Sequence, residues 1–176
     1  MQLEDVIEAV QGAVIQGSSH HKITGVSIDS RSIKQGELFF AFPGERVDGH
    51  DFLEQAFKRG ASGAVISRPV TVNATATLIM VSNTLKALQD LACYYRNYFK
   101  IPVVAVTGST GKTTTKDLIA GVLEKRLKVL KTKGNNNNEI GLPLTLLQLN
   151  SSHQVAVLEM AMRGPGEITL LCEISR

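Results

Sequence analysis

Residues Val103 to Thr115 read Val-Val-Ala-Val-Thr-Gly-Ser-Thr-Gly-Lys-Thr-Thr-Thr. An apolar, β-branched run meets a glycine turn and then a lysine followed by threonines. This is the form of a phosphate-binding loop between a buried strand and a helix. Gly108 and Gly111 let the main chain bend tightly, so the amides of the loop, Ser109 and Thr110 included, converge on phosphate oxygens. Lys112 adds a point charge for the β- and γ-phosphates, and the Thr113 hydroxyl is placed to hold Mg²⁺, with Thr114 next in the same helical turn. The helix from Lys112 onward aims its positive dipole end at the same spot. The expected ligand is a nucleotide bound with Mg²⁺. The loop is a short variant, Gly-x-x-Gly-Lys-Thr, because Val106 stands where the longer pattern wants its first glycine. Alone, such a loop also occurs at ordinary strand–turn–helix joints. The strand before it and the helical spacing of Leu118, Ile119, Val122 and Leu123 after it supply the context that favours a nucleotide site.

A second candidate is Glu159, which closes the apolar strand Val155-Ala-Val-Leu158. A carboxylate at the C-terminal end of a parallel strand shares a sheet edge with the phosphate loop and could ligate Mg²⁺ there. The bland alternative is an acid in a solvated turn. Glu167 reads more simply as a partner of a helix dipole. Gly134-Asn-Asn-Asn-Asn-Glu-Ile-Gly-Leu-Pro143 is unusual for a plain turn. It reads either as a flexible loop or as a donor-rich surface facing a phosphate or carboxylate. Earlier in the chain, Ser27-Ile-Asp-Ser-Arg31 leaves a strand and Asp48-Gly-His-Asp51 enters a helix. Both are polar clusters at element ends. Ser30 and Arg31 could hold a diphosphate. His50 could reach a base or phosphate, although taken by itself it reads better as a helix cap and packing residue. His20, His21 and His153 lack metal-ligand spacing.

These residues need elements to position them. Leu3, Val6, Ile7 and Val10 have helical spacing, and strands are expected at 23–28, 38–42, 64–67 and 77–81. Phe52, Leu53, Ala56 and Phe57 mark a helix over 51–58, with Gly60 as its cap. Asn83 caps a helix with Leu85, Leu88, Leu91, Tyr95 and Phe99 on one face. After Pro102 the style changes to strand 103–106, helix 112–127 and strand 129–131, a βαβ unit of a parallel sheet. Pro143 starts a further helix, 154–158 forms another buried strand, and a last helix starts at Glu167. The fold class is therefore α/β: a small mixed α/β N-terminal domain, residues 1–98, then the start of a P-loop parallel-sheet domain, residues 99–176. Only about three parallel strands follow the boundary, so the second domain is expected to be incomplete.

Composition narrows the function classes. The 176 residues carry 19 basic and 16 acidic side chains, a net charge of +3. That is too mild to argue for nucleic acid. The basic run from Lys125 to Lys133 reads as a solvated helix end. Cys93 and Cys172 sit in apolar helical patterns and are expected to be buried free thiols. No stretch is long and apolar enough to insert in a membrane, and no leader is evident, so a cytoplasmic protein is expected. The sequons Asn73-Ala-Thr75 and Asn150-Ser-Ser152 carry no weight in that setting.

Taken together, the motifs resemble the Mur ligases of peptidoglycan synthesis. The segments that carry the resemblance, in order, are Asp29-Ser-Arg with Gly36-Glu-Leu-Phe-Phe-Ala41; Asp48-Gly-His-Asp-Phe52; Thr107-Gly-Ser-Thr-Gly-Lys-Thr113; and Gly134 to Pro143 with Glu159-Met and Gly166-Glu-Ile168. The asparagine-rich segment is similar to that of the family member adding D-Ala-D-Ala to UDP-MurNAc-tripeptide. The resemblance implies ATP-dependent amide ligation through an acyl phosphate. It implies that Lys112 neutralises charge on the transferred phosphoryl group and that Thr113 and Glu159 hold Mg²⁺. Asn137 and Asn138 would line the nucleotide site, and Ser30, Arg31 and His50 would be candidates for the UDP end. Many relatives carry a histidine shortly after the glutamate; this chain has Met160-Ala-Met-Arg-Gly-Pro165 instead. Full-length relatives continue into parts supplying a carbamylated lysine, adenine contacts and the D-Ala-D-Ala site, so this chain alone is expected not to ligate. The competing readings are another P-loop ATPase, such as a partition ATPase, and a non-catalytic nucleotide- or UDP-sugar-binding module.

Overall fold

A computed structural model describes residues 1–72 and 76–176; the sequon at Asn73 lies outside them. The chain forms two compact units, Met1–Leu91 and Ala92–Arg176. The division falls inside the helix α3 (Thr84–Arg96), whereas the sequence reading set the boundary at the end of that helix. From Ala92 onward the helix contributes to the second unit's core.

In the first unit, α1 (Leu3–Val10) buries Leu3, Val6 and Val10 along one stripe, the i, i+3, i+7 spacing of an amphipathic helix. Five strands follow: β1 (Ala13–Gln16), β2 (Gly25–Ser27), β3 (Glu37–Phe40), β4 (Gly63–Ile66) and β5 (Thr77–Met80). They form one sheet in the order β1-β5-β4-β3-β2. β2 to β5 are parallel, and β1 runs antiparallel to β5. All of β4 and most of β3 and β5 are buried, so these segments read as continuous apolar runs, as parallel strands covered on both faces do. β1 escaped the sequence reading: it is four residues long, and Val14 and Ile15 are exposed, so no alternation marks it. The expected helix over 51–58 is a 3-10 turn, Gly49–Phe52, leading into α2 (Leu53–Lys58). Leu53 and Ala56 pack with Phe39, Ala64 and Ile66. Asn83 caps α3 as expected, its Oδ1 accepting the Lys86 N–H at 2.9 Å.

The second unit is a three-stranded parallel sheet with helices between its strands. β6 (Val103–Val106), β7 (Val129–Lys131) and β8 (Val155–Glu159) lie in the order β6-β8-β7. β8 is central and buried along its whole length. The helices are α4 (Lys112–Leu123), α5 (Gly141–Leu146) and α6 (Glu167–Ser175). Leu142 and Leu146 of α5 and Leu171 and Ile174 of α6 share a core with Ala156 and Leu158. The buried Arg96 donates to the carbonyls of Ser175 at 3.2 Å and Ile101 at 2.8 Å, and to Phe99, tying the lead-in of β6 to the end of α6. Burial pulls its guanidinium below the usual range.

Two expectations are corrected here. α4 stops at Leu123, and its buried residues are Lys116 and Ala120. Leu118 and Val122, read as part of its apolar face, are 66% and 72% exposed; spacing defines a stripe but not which stripe meets the sheet. The thiols are free, but Cys93 is only half-buried and Cys172 is exposed. Cys172 follows the buried Leu171, and one residue turns a helix by about 100°. Among the described residues no helix is long and apolar enough to cross a membrane.

Candidate nucleotide and substrate sites

The phosphate-loop candidates form one short segment of the second unit. β6 ends at Val106, and Gly111 precedes α4 with φ +75°. A Cβ added at Gly111 would meet no atom within 4 Å. The position needs glycine for its left-handed backbone, not for room. Lys112 reaches back so that its Nζ donates to the Gly108 carbonyl at 2.7 Å. Ser109, Thr110, Thr113 and Thr114 are exposed. The first-turn amides of a helix have no intrahelical acceptor, which makes this end of α4 a donor surface.

Strand register brings Glu159 to that loop. Val106 pairs with Glu159 across β6 and β8, and the Met160 N–H donates to the Val106 carbonyl at 2.9 Å. Glu159 is 3% exposed. Its Oε1 accepts from Asn137 Nδ2 at 2.7 Å. Its Oε2 is buried without a hydrogen-bond partner. A buried carboxylate oxygen without a partner is costly. An oxygen ligand waiting beside a phosphate loop is what a hard cation requires. Among the described residues no three or more His, Cys, Asp or Glu converge as a metal cage.

The asparagine loop is ordered by specific contacts. Besides holding Glu159, Asn137 accepts the Ala161 N–H on its carbonyl at 2.8 Å. Asn138 Oδ1 accepts from the N–H groups of Ile140 at 3.2 Å and Gly141 at 2.8 Å, so it caps α5. A Cβ at Gly141 would lie 2.4 Å from Asn136 Cα; the loop passes directly over the start of α5. Arg163 pairs with Glu139 at 2.5 Å, and its N–H donates to Glu167 Oε2 at 2.7 Å, which fastens the segment after β8 to the asparagine loop. Three residues that shape this region drew no notice in the sequence: Lys116, Thr132 and Arg163. A helix-surface lysine, a threonine after a strand and an arginine in a loop are each too common to signal a role.

The first unit has its own candidate. A cavity of about 520 Å³ is lined by Ile28, Phe39, Phe42, Val47 and Phe52, with Asp29, Ser30 and Arg31 on its polar side. Arg31 grips Asp29 with its Nε at 2.9 Å and its terminal nitrogen at 2.8 Å. These hydrogen bonds, with that from the Arg31 N–H, hold the Asp29 carboxyl at about 2. The Arg31 side chain is 80% exposed, so its charge remains reachable. Ser30 is buried and donates to Gln55 at 2.5 Å. His50 is buried as well. Its Nδ1 meets Asp48 Oδ1 at 2.6 Å, and its Nε2 accepts the Ser67 N–H at 3.0 Å. Both ring nitrogens are thus engaged within the protein. Burial alone would raise the Asp48 carboxyl, but hydrogen bonds from the His50 backbone and ring, with the Arg68 charge, leave it below its ordinary value. Structure therefore brings Asp29, Ser30 and Arg31 to one cavity, whereas His50 does not line it and has both ring nitrogens engaged by Asp48 and Ser67.

Comparison with known proteins gives consistent matches to both halves. The family description "Mur ligase family, catalytic domain" matches residues 22–96, and "Mur ligase middle domain" matches 106–176. The UDP-N-acetylmuramoyl-tripeptide–D-alanyl-D-alanine ligase of Synechocystis is 46% identical over 171 residues, 97% of this chain. The ligase of the same name from Bacillus subtilis is 42% identical over 175 residues, 98% of this chain. The chain spans 38% of the length of each of these relatives. Among solved structures, MurF from Acinetobacter baumannii superposes with a TM-score of 0.91 at 35% identity, covering 99% of this chain and 38% of that one. MurF ligase from Thermotoga maritima in complex with ADP has a TM-score of 0.77 at 39% identity, covering 86% of this chain and 35% of that one.

Proposed function

Because this chain belongs to the Mur ligase family, we propose that it supplies the UDP-substrate side and the phosphate-binding side of an ATP-dependent ligase. The reaction joins D-Ala-D-Ala to UDP-MurNAc-tripeptide, as the names of its relatives describe for them. The terminal carboxylate of the tripeptide attacks the γ-phosphorus of ATP, ADP leaves and an acyl phosphate forms; the amine then attacks the acyl carbonyl carbon, gives up a proton, and inorganic phosphate leaves. A reaction consuming ATP and a UDP-linked precursor belongs in the cytoplasm.

The residues take distinct parts. The loop from Gly108 to Gly111, with the first-turn amides of α4, cradles the phosphates. Lys112 exchanges its bond to the Gly108 carbonyl for a phosphate oxygen and neutralises the charge that develops on the transferred group. Thr113 and Glu159 would hold Mg²⁺, which would supply electrostatic stabilisation of the negative charge that develops during transfer. Asn137 orients Glu159, and Asn138 shapes the loop by capping α5. In the first unit the aromatic cavity suits the flat base of a uridine nucleotide, and Arg31 suits its diphosphate. Ser30 lines that cavity.

The observation that carries this reading is the buried, unpartnered oxygen of Glu159, one register step from the phosphate loop. Calorimetry tests it. Mg·ATP should bind the chain, and Lys112→Ala should weaken it by roughly 10- to 100-fold, as expected for losing a charged hydrogen bond of about 1.5–3 kcal/mol. UDP-MurNAc-tripeptide should bind separately and lose affinity in Arg31→Ala. ATP affinity with none for the UDP ligand would favour a partition-type ATPase instead. Since the chain spans 38% of its relatives' length, binding is the fitting measurement for it, not turnover.

A further inference from the structure

Lys116 sits on α4 one turn beyond Lys112 and is 3% exposed. Residues four apart share a helix face, so two ammonium groups lie on one side of α4, an arrangement that costs energy through like-charge repulsion. Burying an ammonium costs more. Its acidic partner is the neighbouring Asp117, at 3.1 Å, whose side chain is 55% exposed. A lysine retained under those penalties invites the question of what its charge holds.

It holds Thr132. Lys116 Nζ donates to the Thr132 carbonyl at 2.9 Å. Thr132 is 1% exposed, and its Oγ1 accepts the Glu159 N–H at 2.9 Å. The pairing of β7 with β8 runs from Val129 and Val155 to Lys131 and Val157. Past that last rung a threonine hydroxyl, not a strand backbone, takes the Glu159 amide. The main chain of Glu159 is therefore fixed by Thr132, which Lys116 anchors to the phosphate-loop helix, while its Oε1 is fixed by Asn137. Oε2 is the one polar atom of the carboxylate left to meet a ligand.

We propose that Lys116 and Thr132 are positioning residues that couple the phosphate-loop helix to Glu159, so that the carboxylate meets a nucleotide-bound divalent cation at a fixed place. This rests on the nucleotide reading above and extends it to residues that touch neither nucleotide nor metal. Groups that orient a metal ligand typically cost about 10- to 100-fold in metal affinity when removed.

The test is the ratio of ADP affinities of the 176-residue chain with Mg²⁺ and with chelator. In Lys116→Met and in Thr132→Val, the tightening by Mg²⁺ should fall by about tenfold or more, with ADP affinity in chelator unchanged. Lys116→Arg and Thr132→Ser should each restore much of the tightening. If Lys116→Met does not fold by circular dichroism, the Thr132 pair decides. Equal tightening in the altered and unaltered chains would overturn the proposal, as would a loss of the same size in both buffers, which marks a role in folding alone. An unaltered chain that binds ADP without any effect of Mg²⁺ also overturns it, while leaving the phosphate loop intact. An unaltered chain that binds no ADP in either buffer removes the nucleotide reading itself, and this inference with it.

Discussion

Glu159 combines two states of stress: it is buried, and one of its oxygens is unmet. Replacing it should therefore separate function from stability. Glu159→Gln removes the buried charge and keeps the shape. Without metal its melting temperature should equal or exceed that of the parent, and Mg²⁺ should no longer raise either the melting temperature or ADP affinity; differential scanning fluorimetry with and without Mg²⁺ measures both. Asp29 makes the opposite case, a surface carboxylate fully met by Arg31. Its folded value of about 2 lies below the ordinary 3.8 of an aspartate. The pair's stabilisation is thus complete above the unfolded value and disappears as pH falls through about 2. Because Arg31 is largely exposed, the contribution is small, and the titration itself is the better readout. Carbon-detected NMR should find the Asp29 carboxyl depressed in the parent and returned toward 3.8 in Arg31→Ala.

The helix α5 shows how an element can be built for a loop. It has six residues, too short to persist by propensity, and it begins under the Asn138 cap. Asn138→Ala should cost about 0.5–2 kcal/mol, as lost N-caps do, read as a lower urea midpoint. The same change should weaken ADP binding, because the loop carrying Asn137 would lose its anchor. Much of this was legible in the sequence. Gly111-Lys112-Thr113 after an apolar strand, and Glu159 at the end of another, stood out as candidates by spacing, and the register of β6 with β8 brings the two strand ends together. The partners of these residues were not legible. Asn137 and Glu159 lie 22 positions apart, and nothing local says that an amide will meet a carboxylate rather than a phosphate. His50 was legible as a capping and packing residue, but its partners Asp48 and Ser67 were not, since the Ser67 contact depends on β4 lying beside β3. β1 was invisible because an exposed edge strand needs no alternation. The face of α4 was misjudged because a helix with apolar residues on two stripes does not declare which one packs.

Across the whole molecule, the two units have separate cores, with the aromatic cavity in one and the candidate phosphate loop in the other. Hydrogen exchange should show that division directly. Mg·ADP should slow exchange at β6, α4 and residues 132–141, and UDP-MurNAc-tripeptide should slow it around 28–31 and 42–52; the reverse pattern would overturn the assignment of ligand to unit. Both ligands should stabilise by mass action, about 2.7 kcal/mol at a hundredfold excess over Kd. Among the described residues, β6 is bordered on one side only, by β8, and its Val103, Val104 and Ala105 place no charge on the open border. Such a rim is the natural template on which a second chain can zip. The strand that leads into the candidate phosphate loop thus also keeps one backbone edge open to a further strand.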